Sequence, residues 1–169
     1  MPLFLYTKGN VALVTEFYLV FSLDKRRYAL PASDVVRVSL AAELTDPPAE
    51  LRTIRGVANV GGEAAPVADL RPRKDALFPE MKLSDRFVFF RDKGVLWGVI
   101  AEKVEGVMAL STALFSAESG EMSSGGEEAF EMAFPDPEKP GILVRNPENM
   151  LLLTEAELVL LDSILSGER

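Results

Sequence analysis

The stretch from residue 51 to residue 70, LRTIRGVANVGGEAAPVADL, limits the possible folds more than any other part of the chain. Two apolar segments, residues 57–60 and 64–67, flank the pair Gly61 and Gly62. A glycine pair between two strand-like segments is typical of a tight hairpin turn in which both turn residues have positive φ. We therefore predict a β-hairpin. Because its arms carry few charges, it must be mostly buried or present its edge to another molecule.

Composition excludes several classes of protein. The 169 residues are 48% apolar and 26% charged, which is ordinary for a globular protein long enough to bury a core. Acidic residues outnumber basic ones by 26 to 18, giving a formal charge of −8. Nucleic acids and anionic lipids require clustered Lys and Arg, so we expect neither as a ligand. Residues 1–17 lack a positive start and an unbroken apolar run, so we expect no membrane insertion and a cytoplasmic location.

Cysteine and histidine are both absent. Their absence removes disulfides, thiolate nucleophiles, histidine general bases and the commonest zinc and copper ligands. We therefore expect no metal, no cofactor and no catalytic residue.

The hydrophobic pattern predicts an all-β fold. Apolar or alternating segments at 17–23, 28–40, 86–90, 95–101, 104–110, 141–144 and 150–153 join the central hairpin to make about ten short strands. Thr154 followed by Glu157 is a capping-box pattern, and the leucines after it predict one C-terminal helix ending near Gly167. Many short strands with a single helix are typical of a β-barrel.

Two strand patterns predict orientation. Residues 86–90 and 95–101 are apolar on both faces, which predicts burial where two sheets or barrels meet. In residues 35–40, alternation predicts that Val36 and Val38 enter the core and that Arg37 points away from it.

Two segments differ from the rest of the chain. Residues 1–15 read as an N-terminal tail or an extra edge strand. Residues 116–140 hold seven acidic residues, one lysine and a Ser-Ser-Gly-Gly run, which predicts a solvated acidic insertion. The remaining span, 16–165, then forms the main domain.

The central stretch and its neighbours resemble the CheW-like domain, the coupling module of bacterial chemosensory arrays. The most specific part of the pattern is matched by Gly56, Val57, Asn59, Gly62, Pro66, Val67, Asp69 and Leu70. Weaker similarity extends over most of residues 17–165. The resemblance implies two intertwined five-stranded SH3-like or OB-like β-barrels with a short C-terminal helix. It also implies a non-catalytic adaptor that joins the cytoplasmic tip of a chemoreceptor to the regulatory domain of a CheA-like histidine kinase.

Four positions depart from the family pattern. Arg37 stands where the family often has an acid, and Gly61 stands where it usually has arginine. Glu102 and Thr154 each replace an aspartate. Because the acid and the arginine are implied to recognise receptor together, the first two departures predict an adapted receptor contact.

The candidate partner-binding residues are Val35, Arg37, Gly56, Asn59, Gly61 and Phe87. Three of them have a simpler interpretation: Gly61 serves a turn, Arg37 is solvated, and Phe87 belongs to the core. Two other functions stay open. One is an adaptor of a divergent chemosensory system for surface motility or gene regulation; the other is a small-ligand-binding or hydrolytic barrel using Asp69 and Glu102.

Overall fold

The part of the chain that the structure describes forms two mixed β-sheets and one α-helix. The structure, a computed structural model, describes residues 4–8, 11–47, 51–75, 77–111, 115–116, 131–133, 135, 138, 141–144, 153 and 155–166. The strands are β1 (Phe4–Lys8), β2 (Val11–Leu23), β3 (Arg26–Pro31), β4 (Val35–Leu40), β5 (Ile54–Val60), β6 (Glu63–Ala68), β7 (Arg86–Asp92), β8 (Val95–Ala101), β9 (Lys103–Ser111), β10 (Phe115–Ser116), β11 (Glu131–Ala133) and β12 (Ile142–Val144). A 3-10 turn (Ala32–Asp34) separates β3 from β4, and the helix α1 spans Glu155–Leu165.

The two sheets exchange chain segments. The first sheet has seven strands in the order β1-β2-β3-β12-β11-β10, with β9 also paired to β2, and the second has five in the order β4-β7-β8-β6-β5. The chain therefore starts in the first sheet, builds the whole second sheet, and returns to complete the first. The predicted pair of intertwined barrels follows from this order.

The second sheet closes on itself after β4. Thr45 and Val57 exchange two backbone hydrogen bonds, with N···O distances of 3.0 and 2.9 Å. These bonds attach the segment after β4 to β5, the strand at the other end of the sheet, and so convert the sheet into a barrel.

Strand β2 contributes to both cores. Val20 packs with Ala29, Leu110 and Ile142 in a cluster of the first sheet. The neighbouring Phe21 lies in the larger cluster, which joins β2 and β3 to the buried strands of the second sheet. Alternate side chains of a strand point to opposite faces, so β2 is buried on both faces around Val20 and Phe21.

Strands β7 and β8 are also buried on both faces, as their patterns predicted. The four consecutive residues from Phe87 to Phe90 are all buried, and so are the six from Leu96 to Ala101. Both strands lie in the larger cluster that contacts β2 and β3, which is the predicted meeting place of two sheets.

Several sequence predictions differ from the structure or concern residues outside the described ranges. β2 begins at Val11, earlier than the alternation from residue 17 indicated, and β1 pairs with its first part. Most of the predicted acidic insertion at 116–140 lies outside the described residues, although β11 within it pairs with both β10 and β12. Thr154 and Gly167 also lie outside them. In α1, Leu161 is buried, whereas Leu158 is 46% exposed.

Candidate functional site

An open groove of about 200 Å³ lies between β4 and β5. Residues 37, 39, 40, 42 and 43 line one side, residues 58–60 line the other, and Phe87 and Phe89 of β7 form the floor. The strand register explains this arrangement: Arg37 pairs with Phe89 and Ser39 pairs with Phe87. Directly opposed residues in an antiparallel pair share one face of the sheet, so these four side chains belong to one surface.

The floor of the groove is apolar and fixed. Phe87 is 2% exposed and Phe89 is 3% exposed. Their ring centroids are 6.0 Å apart with an interplanar angle of 78°, an edge-to-face arrangement that is favourable for aromatic rings. Both belong to the main hydrophobic cluster, so packing holds the floor in position.

The hairpin turn holds the β5 side of the groove. Gly61 and Gly62 have φ values of 60° and 93°, as a two-residue turn with two left-handed positions requires. The side-chain Oδ1 of Asn59 accepts a hydrogen bond from the backbone N–H of Gly62 at 2.8 Å. Asn59 therefore fixes the turn while its side chain lines the groove, and the predicted hairpin is confirmed.

Gly56 has a structural role at the barrel seam. A Cβ on Gly56 would lie 2.5 Å from the Cβ of Leu44 and 2.9 Å from the carbonyl oxygen of Thr45. Only glycine lets the segment after β4 approach β5 closely enough for the Thr45–Val57 hydrogen bonds.

The structure brings three of the six predicted site residues together: Arg37, Asn59 and Phe87 all line the groove. Gly61 lies in the turn beside the groove. Val35 packs against the core, and Gly56 lies at the seam. Sequence reasoning missed Ser39, Phe89 and Glu43. The two-residue period from Arg37 and from Phe87 would have found the first two, whereas no sequence signal marks Glu43.

The prediction that Val36 and Val38 enter the core was wrong. Val36 is 51% exposed, Val38 is 40% exposed, and Leu40 at the end of the strand is 63% exposed. A bulge between Val35 and Arg37 shifts the register of β4, and the face that Arg37 and Ser39 share with the phenylalanines is the one that meets the groove. Val36 and Val38 do not line the groove and form an exposed apolar pair on β4.

Asp69 is enclosed by arginines and does not reach a cavity. Its side chain is fully buried, and Arg71 donates to both carboxylate oxygens, from Nε at 2.9 Å and from Nη2 at 2.8 Å. Nη1 of Arg55 adds a third side-chain bond at 3.0 Å. The hydrogen bond to Asp69 raises the pKa of Arg71 further above its usual range. Asp69 is therefore part of a buried ion-pair network.

Glu102, the other acid of the hydrolytic alternative, is also engaged elsewhere. It is exposed, and its Oε1 accepts from the backbone N–H of Asp24 at 3.2 Å. Glu105 pairs with Arg27 at 2.9 Å. Within the described ranges, no group of three or more His, Cys, Asp or Glu could hold a metal ion. This arrangement gives no support to a hydrolytic barrel using Asp69 and Glu102.

Two SH3-like barrels that exchange chain segments define the fold class, and the groove between β4 and β5 is its candidate site. The fold is that of the scaffolding protein TtCheW from Thermoanaerobacter tengcongensis, with a TM-score of 0.69 and 21% sequence identity over 85% of this chain and 92% of that one. A model of the CheW-like domain matches residues 18–151. The chain belongs to the CheW-like domain family, whose members are non-catalytic scaffold proteins of chemotaxis.

No curated protein matches the chain. Among the described residues, no helix is both long enough and apolar enough to span a bilayer.

Proposed function

We propose that this protein is a cytoplasmic adaptor that couples chemoreceptors to a histidine kinase in bacterial chemosensory signalling. Its partners are the cytoplasmic tip of a chemoreceptor and the regulatory domain of a CheA-like kinase. The observation that carries the proposal is the groove between β4 and β5, whose apolar floor lies beneath a rim that includes four polar side chains, as in the anatomy of a protein interface.

The size of the groove favours a protein partner over a small ligand. Its volume of about 200 Å³ is below the roughly 300–1,000 Å³ of typical small-molecule sites. A space of this size with two buried rings beneath it suits one protruding apolar side chain, which is how interface anchors bind. We assign this groove to the receptor tip.

An adaptor must hold two partners at once, and β4 offers a second surface on its opposite face. Val36 and Val38, which do not line the groove, are exposed there and form an outward row. A row of large exposed apolar side chains is characteristic of protein interaction surfaces. We assign this outward row to the kinase regulatory domain, which would pack on it without obstructing the groove.

Binding measurements with both partners test the assignment. We expect the wild-type protein to bind the receptor cytoplasmic domain and the kinase regulatory domain at micromolar protein concentrations. Ser39→Trp fills the groove and should weaken receptor binding only, whereas Val38→Asp places a charge on the outward row and should weaken kinase binding only. Ser84→Trp, at an exposed position that does not line the groove, is the control and should preserve both.

Failure of the wild-type protein to bind either partner would contradict the adaptor proposal itself. Equal effects of Ser39→Trp and Val38→Asp on both partners would contradict only the division of the two faces between them.

The replacements at positions 37 and 61 favour an adaptor of a divergent chemosensory system, serving surface motility or gene regulation, as the second candidate. Arg37 is exposed at the groove, and Gly61 is exposed in the turn beside it. The double variant Arg37→Glu and Gly61→Arg restores the family's usual residues at both positions. Unchanged binding to the protein's own receptor would remove both positions from the recognition surface.

A further inference from the structure

Arg37 has no ion-pair partner within the described part of the chain. By contrast, Arg27 pairs with a glutamate, Arg55 and Arg71 pair with Asp69, and Arg91 pairs with a second glutamate. The other described arginines resemble Arg37 in this respect, but none of them lines the groove: Arg26, Arg52, Arg73 and Arg86. Arg37 is therefore a cation at the site that has no counter-ion there.

The second charged side chain of the groove does not neutralise Arg37. Glu43 lines the same side of the groove, yet the two side chains form no salt bridge. Residue 43 lies two positions from the Thr45–Val57 seam, and residue 37 lies on β4 opposite Phe89. The groove therefore has a cation on the strand position opposite Phe89 and an acid towards the seam.

Occupation of the groove changes the energetics of Arg37. A partner side chain packed on Phe87 and Phe89 would exclude water from the rim. A guanidinium that loses its water is costly unless a carboxylate replaces it, because a buried charge requires a paired and hydrogen-bonded partner. The planar guanidinium favours a carboxylate that can accept two parallel hydrogen bonds.

The net negative charge of the chain limits where an acidic side chain of a partner can bind. With a formal charge of −8, the molecule as a whole repels acidic segments. An acidic side chain is favoured only where a local cation outweighs that field. Such a cation mainly determines where, and in which register, a partner docks. It contributes less to the overall affinity.

We infer that the receptor segment occupying this groove presents an apolar side chain to the two phenylalanine rings and, next to it, an aspartate or glutamate to Arg37. This inference rests on the proposed function, since it specifies the partner of the same groove. Arg37 is then a specificity-determining residue.

Calorimetry with the complete cytoplasmic domain of the protein's own chemoreceptor tests the inference. Arg37→Glu should weaken binding by about tenfold or more, and Arg37→Gln by a smaller factor, since reversal adds repulsion to the loss of the pair. Arg26→Glu makes the same charge change at an exposed arginine away from the groove and should leave the Kd unchanged. Added salt should weaken the wild-type complex more than the Arg37→Gln complex.

A charge exchange identifies the opposing residue. Each aspartate and glutamate of the receptor tip is changed singly to lysine and tested against Arg37→Glu. One receptor variant should bind Arg37→Glu about tenfold better than the unmodified receptor does, because a reversed pair restores the attraction.

The outcomes separate the inference from the proposed function. If the wild-type protein binds no receptor, the proposed function fails. If it binds receptor and Arg37→Glu binds equally well, or if no lysine variant recovers binding, the acidic partner residue is refuted while the adaptor function stands. Equal weakening by Arg26→Glu would show that the overall field, and not Arg37, governs binding.

Discussion

At the scale of single residues, the buried network around Asp69 fixes the segment that follows the central hairpin. Arg55 lies on β5, and its guanidinium contacts Asp69, the carbonyl oxygen of Pro79 and the ring of Phe78 at 5.5 Å from the centroid. Arg73 covers the same ring at 3.9 Å. One enclosed carboxylate thus attaches a loop without regular strand structure to the barrel wall.

Asp69→Asn should destabilise the protein by about 3–5 kcal/mol, because it leaves the buried guanidinium of Arg71 without its anion. The free energy of unfolding from urea denaturation measures the effect. Glu63→Gln is the matched control, since it breaks the exposed Glu63–Arg91 pair and should change the midpoint little. Equal effects of the two substitutions would show that burial of the network does not matter.

The charged carboxylate of Asp34 is expected to destabilise the folded protein at neutral pH, so its removal should stabilise the fold. Burial, and then repulsion from Asp92, raise the pKa of Asp34. The folded state therefore binds this proton more tightly than the unfolded state, so stability falls as pH rises from the ordinary pKa through the raised one. Above that window the penalty is constant, and below it the penalty is absent. Asp34→Asn should raise the Tm at pH 7 and leave it unchanged near pH 3, below the ordinary value of about 3.9.

Thermal unfolding at the two pH values tests this, with the exposed Asp46→Asn as the control for removing one negative charge. A similar gain from both substitutions would assign the effect to net charge instead of to the environment of Asp34.

At the scale of elements, the groove exists because β4 does not pair with β5, and the segment after β4 meets that strand at Thr45 and Val57. The Thr45–Val57 bonds hold the seam, and the turn at Gly61 and Gly62 lies beyond it, at the end of β5. The shape of the site therefore depends on a close approach at Gly56, which does not itself line the groove.

Gly56→Ala should open the seam. The added methyl group overlaps Leu44 and the Thr45 carbonyl, which we expect to cost about 1–3 kcal/mol. Amide hydrogen exchange should accelerate at Val57, whose N–H donates to Thr45, and receptor binding should weaken. Gly61→Asn is the control, because asparagine tolerates left-handed φ and the site has open space around it. Unchanged exchange at Val57 in Gly56→Ala would contradict this account of the seam.

The same elements show what could be predicted from the sequence. The hairpin turn is encoded locally by two adjacent glycines, and the burial of β7 is encoded by an unbroken apolar run, so both predictions were confirmed. The faces of β4 were not predictable in this way. Which face meets the groove depends on the pairing of Arg37 with Phe89 and on a bulge, and both are set by residues distant in sequence. The apolar pattern alone therefore predicted burial for Val36 and Val38, which are exposed in the structure.

At the scale of the whole molecule, β2 couples the two barrels. Its consecutive residues Val20 and Phe21 belong to different hydrophobic clusters. A strand shared by two cores cannot leave one of them without disturbing the other. We therefore expect the barrels to unfold together.

Leu110→Ala tests this coupling, since Leu110 belongs to the cluster of the first sheet and Trp97, the only tryptophan, to the larger one. The substitution should lower the free energy of unfolding by about 2–5 kcal/mol. Tryptophan fluorescence and far-UV circular dichroism should report the same lowered midpoint. Val107→Ala, at an exposed position on the same strand, is the control. A Trp97 transition that stays at the wild-type midpoint would show that the barrels unfold separately.

The order of the strands along the chain also has a consequence for synthesis on the ribosome. When the nascent polypeptide has reached Ala101, all five strands of the second barrel have been made, whereas β9 to β12 have not. Because domains fold as their segments emerge from the ribosome, the barrel of the second sheet should become protease-resistant in ribosome-stalled chains before the barrel of the first sheet does. Val20 and Ala29 then stay uncovered until translation nears completion, which makes the earliest strands the natural point of contact for a chaperone.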